Sequence, residues 1–183
     1  MSAARFYISD ELRAITESLS TDLLATLQAV DANITGVHYQ QGHPLEIVNA
    51  LQLLANNVST KTERYPLIAL YRDFTEVKNR QIGIYSESDL HIIIATRTNP
   101  NYTTEQRAEK SFKPILHPIV DAFLDKISLS PKFILDRSYP QTEETDRYFW
   151  GQAGLFGIEK NMFQDWIDCV EIKTSLKTLN NCY

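Results

Sequence analysis

Two tripeptides, Glu76-Val77-Lys78 and Glu171-Ile172-Lys173, place a carboxylate and an ammonium two residues apart. On a strand, such residues share a face. Metal-dependent nucleases of the restriction type use this arrangement: the Glu and an upstream Asp hold Mg²⁺, and the Lys assists the attacking water. Asp168 precedes Glu171 by too few residues to come from a neighbouring strand, so the second tripeptide needs Asp136 or another acid brought in by the fold. A solvated, alternating strand face produces the same spacing with no catalysis.

Other chemistry-bearing residues give weaker patterns. His38, His43, His91 and His117 include no helical i, i+4 pair and no HExxH arrangement, so no metal site is expected from them. His43 precedes Pro44 and reads as a turn or N-cap residue; His117 precedes Pro118. Cys169 and Cys182 form no CxxC pair, which suits free thiols in a reducing compartment. No GxSxG, P-loop or GxGxxG occurs, and Gly151, Gly154 and Gly157 read as bends. Tyr148, Phe149, Trp150, Phe156, Phe163 and Trp166 form an aromatic cluster suited to a core and in part to a partner surface.

The elements that must position these residues are legible from periodicity. Ile8, Leu12, Ile15, Leu19, Leu23, Leu27 and Val30 predict a helix of about Asp10 to Val30, with cap and first-turn chemistry from Ser9, Asp10 and Glu11. A short β-prone piece, Val37 to Gln40, precedes a second helix of about Pro44 to Ala55, with Leu45, Val48, Leu51 and Leu54 facing inward. Pro66 to Phe74 starts almost continuously apolar, as a central strand covered on both faces does. Ile82, Ile84, Leu90, Ile92 and Ile94 share one parity of a second long strand, and a hairpin with a protruding polar tip is expected between about Asp73 and Asp89. Thr103 to Gln106 reads as a capping box opening a helix that Pro114 should kink or break near Lys113, with a further helical piece running to about Lys126. Strands are expected at about Lys132 to Asp136, Arg147 to Trp150 and Trp166 to Leu176; in the last, Asp168 and Thr174 share the inner parity with Val170 and Ile172.

This order, without repeats or a linker-like shift in composition, predicts one α+β domain over residues 1–183. Its sheet should be mixed or antiparallel, flanked by an N-terminal helix, a second short helix and a Pro-kinked helix, with arms at residues 1–8 and 174–183. The chain has 183 residues, 43% of them hydrophobic, and a formal charge of −5 from 18 Lys+Arg and 23 Asp+Glu. That composition excludes low-complexity and mostly disordered chains, and a pI near 5.4 argues against a broad basic nucleic-acid-binding face. Met1 to Asp10 has no basic segment followed by an apolar one, so no secretion is expected, and the tripeptides at Asn33, Asn57 and Asn101 are read as chance glycosylation matches.

Three segments carry a resemblance: Gly36 to Asn49 (GVHYQQGHPLEIVN), Tyr65 to Phe74 (YPLIALYRDF) and Thr96 to Arg107 (TRTNPNYTTEQR). They resemble small uncharacterised proteins from the structural gene clusters of tailed phages and prophages, over about Thr35 to Lys173. The element order is also similar to that of tail-terminator and head–tail connector (neck) proteins, small α+β subunits that close into rings. The resemblance implies a bacteriophage virion protein assembled in the host cytoplasm, with no enzymatic activity, catalytic residue, cofactor or metal. Its partners would be itself, in a homo-oligomeric ring, and neighbouring connector and tail proteins. Double-stranded DNA would pass through the lumen without specific binding, and no membrane would be involved. Asp73, Glu76, Lys78, Arg80 and Tyr85, at the expected hairpin tip, are the candidate interface residues. The alternative class is the Mg²⁺-dependent nuclease of the ExK type.

Overall fold

The computed structural model describes residues 7–56, 64–71, 76–79, 85–134, 142–152 and 165–179. In chain order the elements are α1 (Ile8–Val30), β1 (His38–Gly42), α2 (Pro44–Asn56), β2 (Leu67–Tyr71), β3 (Glu76–Asn79), β4 (Tyr85–Arg97) and α3 (Thr104–Arg107). A π-helical segment (Ala108–Leu116), α4 (His117–Leu129), β5 (Phe133–Ile134), β6 (Thr142–Arg147) and β7 (Ile167–Leu179) follow. They form one α+β domain on a mixed sheet of order β1-β2-β4-β7-β5. Among the described strands only β1 and β2 pair in parallel; β4 and β7 pair antiparallel along their whole lengths, from Tyr85 opposite Leu179 to Arg97 opposite Ile167.

Strand parity divides the core between the two sheet faces. On one face Ile68, Leu70, Leu90, Ile92, Ile94, Val170, Ile172 and Leu176 pack with Leu12 and Leu19 of α1 and with Ile119, Phe123 and Ile127 of α4. On the other, Leu67, Ala69, Ile93, Ala95, Ile167 and Cys169 lie under Ile47, Val48 and Leu51 of α2. The continuous apolar run of β2 is therefore covered on both sides, as its sequence predicts.

Several expectations need correction. Helix α1 starts at Ile8, its N-cap is Tyr7 with no side-chain cap bond, and Ser9 is buried inside the first turn. In α2, Leu45 is 62% exposed and Ile47 takes the inward place, because Ile47, Val48 and Leu51 cluster on one side of a 3.6-residue wheel and Leu45 sits about 100° away. Pro114 does not break its helix. The His117 amide donates to Phe112 O, five residues back, and this wider π winding accommodates a ring that would collide with the preceding turn of an α-helix. Pro118 is the second residue of α4, which continues the π segment without a break in helical backbone.

The polar tip expected between Asp73 and Asp89 is largely strand: β3 pairs with β4 from Glu76 opposite Ser88 to Asn79 opposite Tyr85. Asp73 and Arg80 lie outside the described residues, as do Ile82, Ile84, Asp136, Gly154, Gly157, Phe156, Phe163 and Cys182. The aromatic strand expected at Arg147 to Trp150 is displaced: β6 ends at Arg147, and Tyr148 to Trp150 turn away with Phe149 at φ 53° and Gly151 at φ 79°. Trp166 is 39% exposed, and β7 begins one residue later. Residues 174–179, expected in a C-terminal arm, continue β7.

Truncating Phe123, at the centre of the larger core, should lower unfolding free energy by about 3–5 kcal/mol, whereas Leu45→Ala should change it by about 0.5 kcal/mol or less. Urea unfolding of the two variants measures the contrast.

Candidate functional site

Two charged constellations occupy opposite faces of the sheet around β7. The first contains the Glu171-Ile172-Lys173 tripeptide. Arg147 donates through Nε to Glu171 Oε2 at 3.0 Å and places NH2 2.9 Å from the same oxygen. His91 Nε2 lies 2.7 Å from Oε1, an ion pair when the imidazole carries its second proton, and Lys173 Nζ lies 3.9 Å from Oε1. Burial alone would raise the Glu171 pKa, but the Arg147 hydrogen bond and the charges of His91, Arg147 and Lys173 outweigh it and hold the carboxyl below its ordinary value. Tyr71 packs edge-on against His91 with ring centroids 4.7 Å apart, which closes this cluster on the β2 side.

Asp168 does not join it. Glu171 and Asp168 differ in parity, so their side chains leave opposite faces of β7. Glu76 and Lys78 lie on β3, opposite Ser88 and Ser86. Among the described residues no three of His, Cys, Asp and Glu are grouped to hold a metal ion.

The second constellation surrounds Asp168, whose side chain is 0% exposed, and Arg107, at 2%. Arg107 NH1 donates to both Asp168 oxygens at 2.7 and 2.9 Å and to Thr98 Oγ1 at 3.0 Å; NH2 donates to Asn99 O at 2.9 Å. The Phe149 amide donates to Asp168 Oδ1 at 3.2 Å, and the guanidinium lies 3.6 Å from the Phe149 ring centroid. Arg107 is aimed by the capping box: Thr103 Oγ1 accepts from the Gln106 amide, Gln106 Oε1 accepts from the Thr103 amide, and the Arg107 amide donates to Thr103 O. Sequence reasoning did not identify Arg107 as a partner. The available signal was Asp168 itself, an acid at an inward position of an apolar strand, which requires a buried cation.

The histidines are placed separately. His43 caps α2, its Nδ1 accepting from the Leu45 amide at 3.2 Å, which agrees with its expected role. His117 lies 3.3 Å from Asp146 of β6. A cavity of about 980 Å³ opens where β4 ends and β7 begins, lined by Asp31, Tyr65, Arg97, Tyr102, Lys110 and Trp166 among others. In its wall Asp165 pairs with buried Arg64 and lies 3.5 Å from Arg97 Nε, whereas the buried Tyr65 hydroxyl has no hydrogen-bond partner among the described residues. No helix of the described residues is long and apolar enough to cross a membrane. No protein-family model matches the chain, and no curated protein matches it.

Removing one member of the buried pair should cost far more than a surface ion pair does: Asp168→Ala should lose about 3–5 kcal/mol, because it strands the Arg107 charge in the core. Urea titration against wild type measures this. For Glu171, whose folded pKa is depressed, the stabilisation is full above its unfolded pKa and is lost as pH falls through the folded value. Glu171→Gln should therefore flatten the acid limb of the stability profile, as thermal melts across pH will show.

Proposed function

We propose that this chain is a structural subunit of a tailed bacteriophage virion, a tail terminator or head–tail connector that works by closing into a homo-oligomeric ring. The observation that carries this reading is the commitment of its buried and half-buried charges. Asp168 is held by Arg107 and the Phe149 amide, and Glu171 by Arg147, His91 and Lys173, so both acids serve to hold strands in place. The resemblance of the Gly36 to Asn49, Tyr65 to Phe74 and Thr96 to Arg107 segments to phage structural-cluster proteins supports the same class. Neighbouring connector and tail proteins are its expected partners, and the virion, assembled in the host cytoplasm, its location.

The net charge of −5 suits a ring through which DNA passes, since every basic contact in a lumen would add counterion-release affinity and hinder transit. In this reading the lumen is lined by acidic or neutral polar side chains, and Arg72, Lys78 and Arg80 take part in protein contacts. The rival nuclease reading would require Glu171 to exchange Arg147 and His91 for a divalent ion.

Anisotropy titration across a salt series should give double-stranded DNA affinity no tighter than about 10⁻⁴ to 10⁻⁶ M at physiological salt. Nanomolar, steeply salt-dependent binding would contradict the lumen assignment. Glu171→Gln and Glu76→Gln should retain biological activity, because a structural role has no transition state to stabilise. A Mg²⁺-dependent DNA cleavage activity present in wild type and lost in either variant would establish the nuclease instead.

A further inference from the structure

The cavity of about 980 Å³ lies where four parts of the chain end or begin: the C-terminus of α1, the exit of β4, the π-helical segment and the approach to β7. Its charges are unequally spent. Of the three acids in its wall, Asp165 pairs with Arg64, Glu109 pairs with Lys113, and Asp31 Oδ1 accepts from the backbone and side-chain nitrogens of Asn33 at 2.9 Å. The two cations in the wall, Arg97 and Lys110, keep more of their capacity. Arg97, with a side chain 57% exposed, approaches Asp165 at 3.5 Å but donates no hydrogen bond among the described residues. Lys110 Nζ sits 4.6 Å from the centroid of the Tyr102 ring and has no ion pair among the described residues. With the partners Arg64 and Lys113 included, four cations face three acids, in a chain whose formal charge is −5.

A further donor is left over in the same wall. Tyr65 is 8% exposed, and its hydroxyl has no hydrogen-bond partner among the described residues. Burial, followed by the nearby Asp165 carboxylate, raises its pKa well above the ordinary phenol value, so it keeps its proton and remains a donor. A buried donor with nothing to bond is costly, and an acceptor on a ligand relieves that cost. Apolar surface is present beside these groups: the Trp166 side chain lines the cavity, is 39% exposed, and is steadied by Phe149 packed edge-on with ring centroids 5.1 Å apart.

We infer that this cavity binds a small organic anion with an aromatic body, its charged oxygens taking donors from Arg97, Lys110 and the Tyr65 hydroxyl and its ring lying against Trp166. The volume is that of a small-molecule site, and apolar walls with a few polar groups left to fix orientation are the usual composition of one. Carboxylate, sulfonate and phosphate share the chemistry that these donors recognise. The inference is independent of ring assembly, since a single subunit supplies every group.

The test uses anilinonaphthalene sulfonate, an aromatic anion whose fluorescence rises in apolar surroundings, and its uncharged counterpart N-phenylnaphthylamine, on the full-length chain. Wild type should bind one sulfonate probe per chain. Arg97→Gln and Lys110→Gln should each raise its Kd by about threefold to tenfold and leave the uncharged probe unaffected, because each removes a charge-assisted donor. Tyr65→Phe should also weaken the sulfonate while leaving the melting temperature of the empty protein unchanged, since the hydroxyl bonds to nothing in the fold. Leu53→Ser, on the exposed side of α2, should alter neither probe. The inference is overturned if wild type shows no saturable binding, or if the charge variants or Tyr65→Phe bind the sulfonate as tightly as wild type. Equal weakening of both probes would show that the cavity does not read charge, and loss of binding in Leu53→Ser would place the probe on α2; either result also overturns it.

Discussion

A carboxylate removed from water must be matched by charge and hydrogen bonds or it destabilises the fold by several kcal/mol, and Asp168 is such a carboxylate. Its position on the inward side of β7 obliges three separate segments to converge. Arg107 supplies the charge, Thr98 and Asn99 at the exit of β4 orient the guanidinium, and the Phe149 amide takes up remaining acceptor capacity. The start of the long helical run, the exit of β4 and the turn after β6 are thereby tied to one side chain. The left-handed backbone at Phe149 belongs to this arrangement, because it brings the amide to Asp168 while the ring stacks on Arg107.

The other sheet face follows the same logic with a more solvated cluster. Glu171 ties β7 to β6 through Arg147 and approaches β4 through His91, so the tripeptide that suggested metal chemistry becomes a cross-strand brace.

The fold was legible where local chemistry signals it. The α1 stripe, His43 before Pro44, the Thr103 to Gln106 box, the doubly covered run at Leu67 to Leu70 and the inner parity of β7 each predict their element from a few neighbouring residues. Features set by distant partners were not legible. Arg107 and Asp168 are 61 residues apart, and only the fold brings them together. The π winding at Pro114 is a choice between two helical geometries that the proline rule treats as one. The phase of α2 around Ile47 was settled by the sheet it covers, and the shift of strand character from Tyr148–Trp150 to Thr142–Arg147 follows from the turn that Asp168 holds. The candidate site was legible in part: parity foretold that Asp168 faces inward, but which cations occupy Glu171 depended on strand register.

The central claim is that this chain acts by assembly. The most direct measurement is the mass of the species formed by the full-length wild-type protein at about 10 µM, by native mass spectrometry, with electron images of the same sample. The account predicts one closed species at an integer multiple of 21.0 kDa, seen end-on as an annulus. A monodisperse 21.0 kDa monomer under those conditions would contradict it.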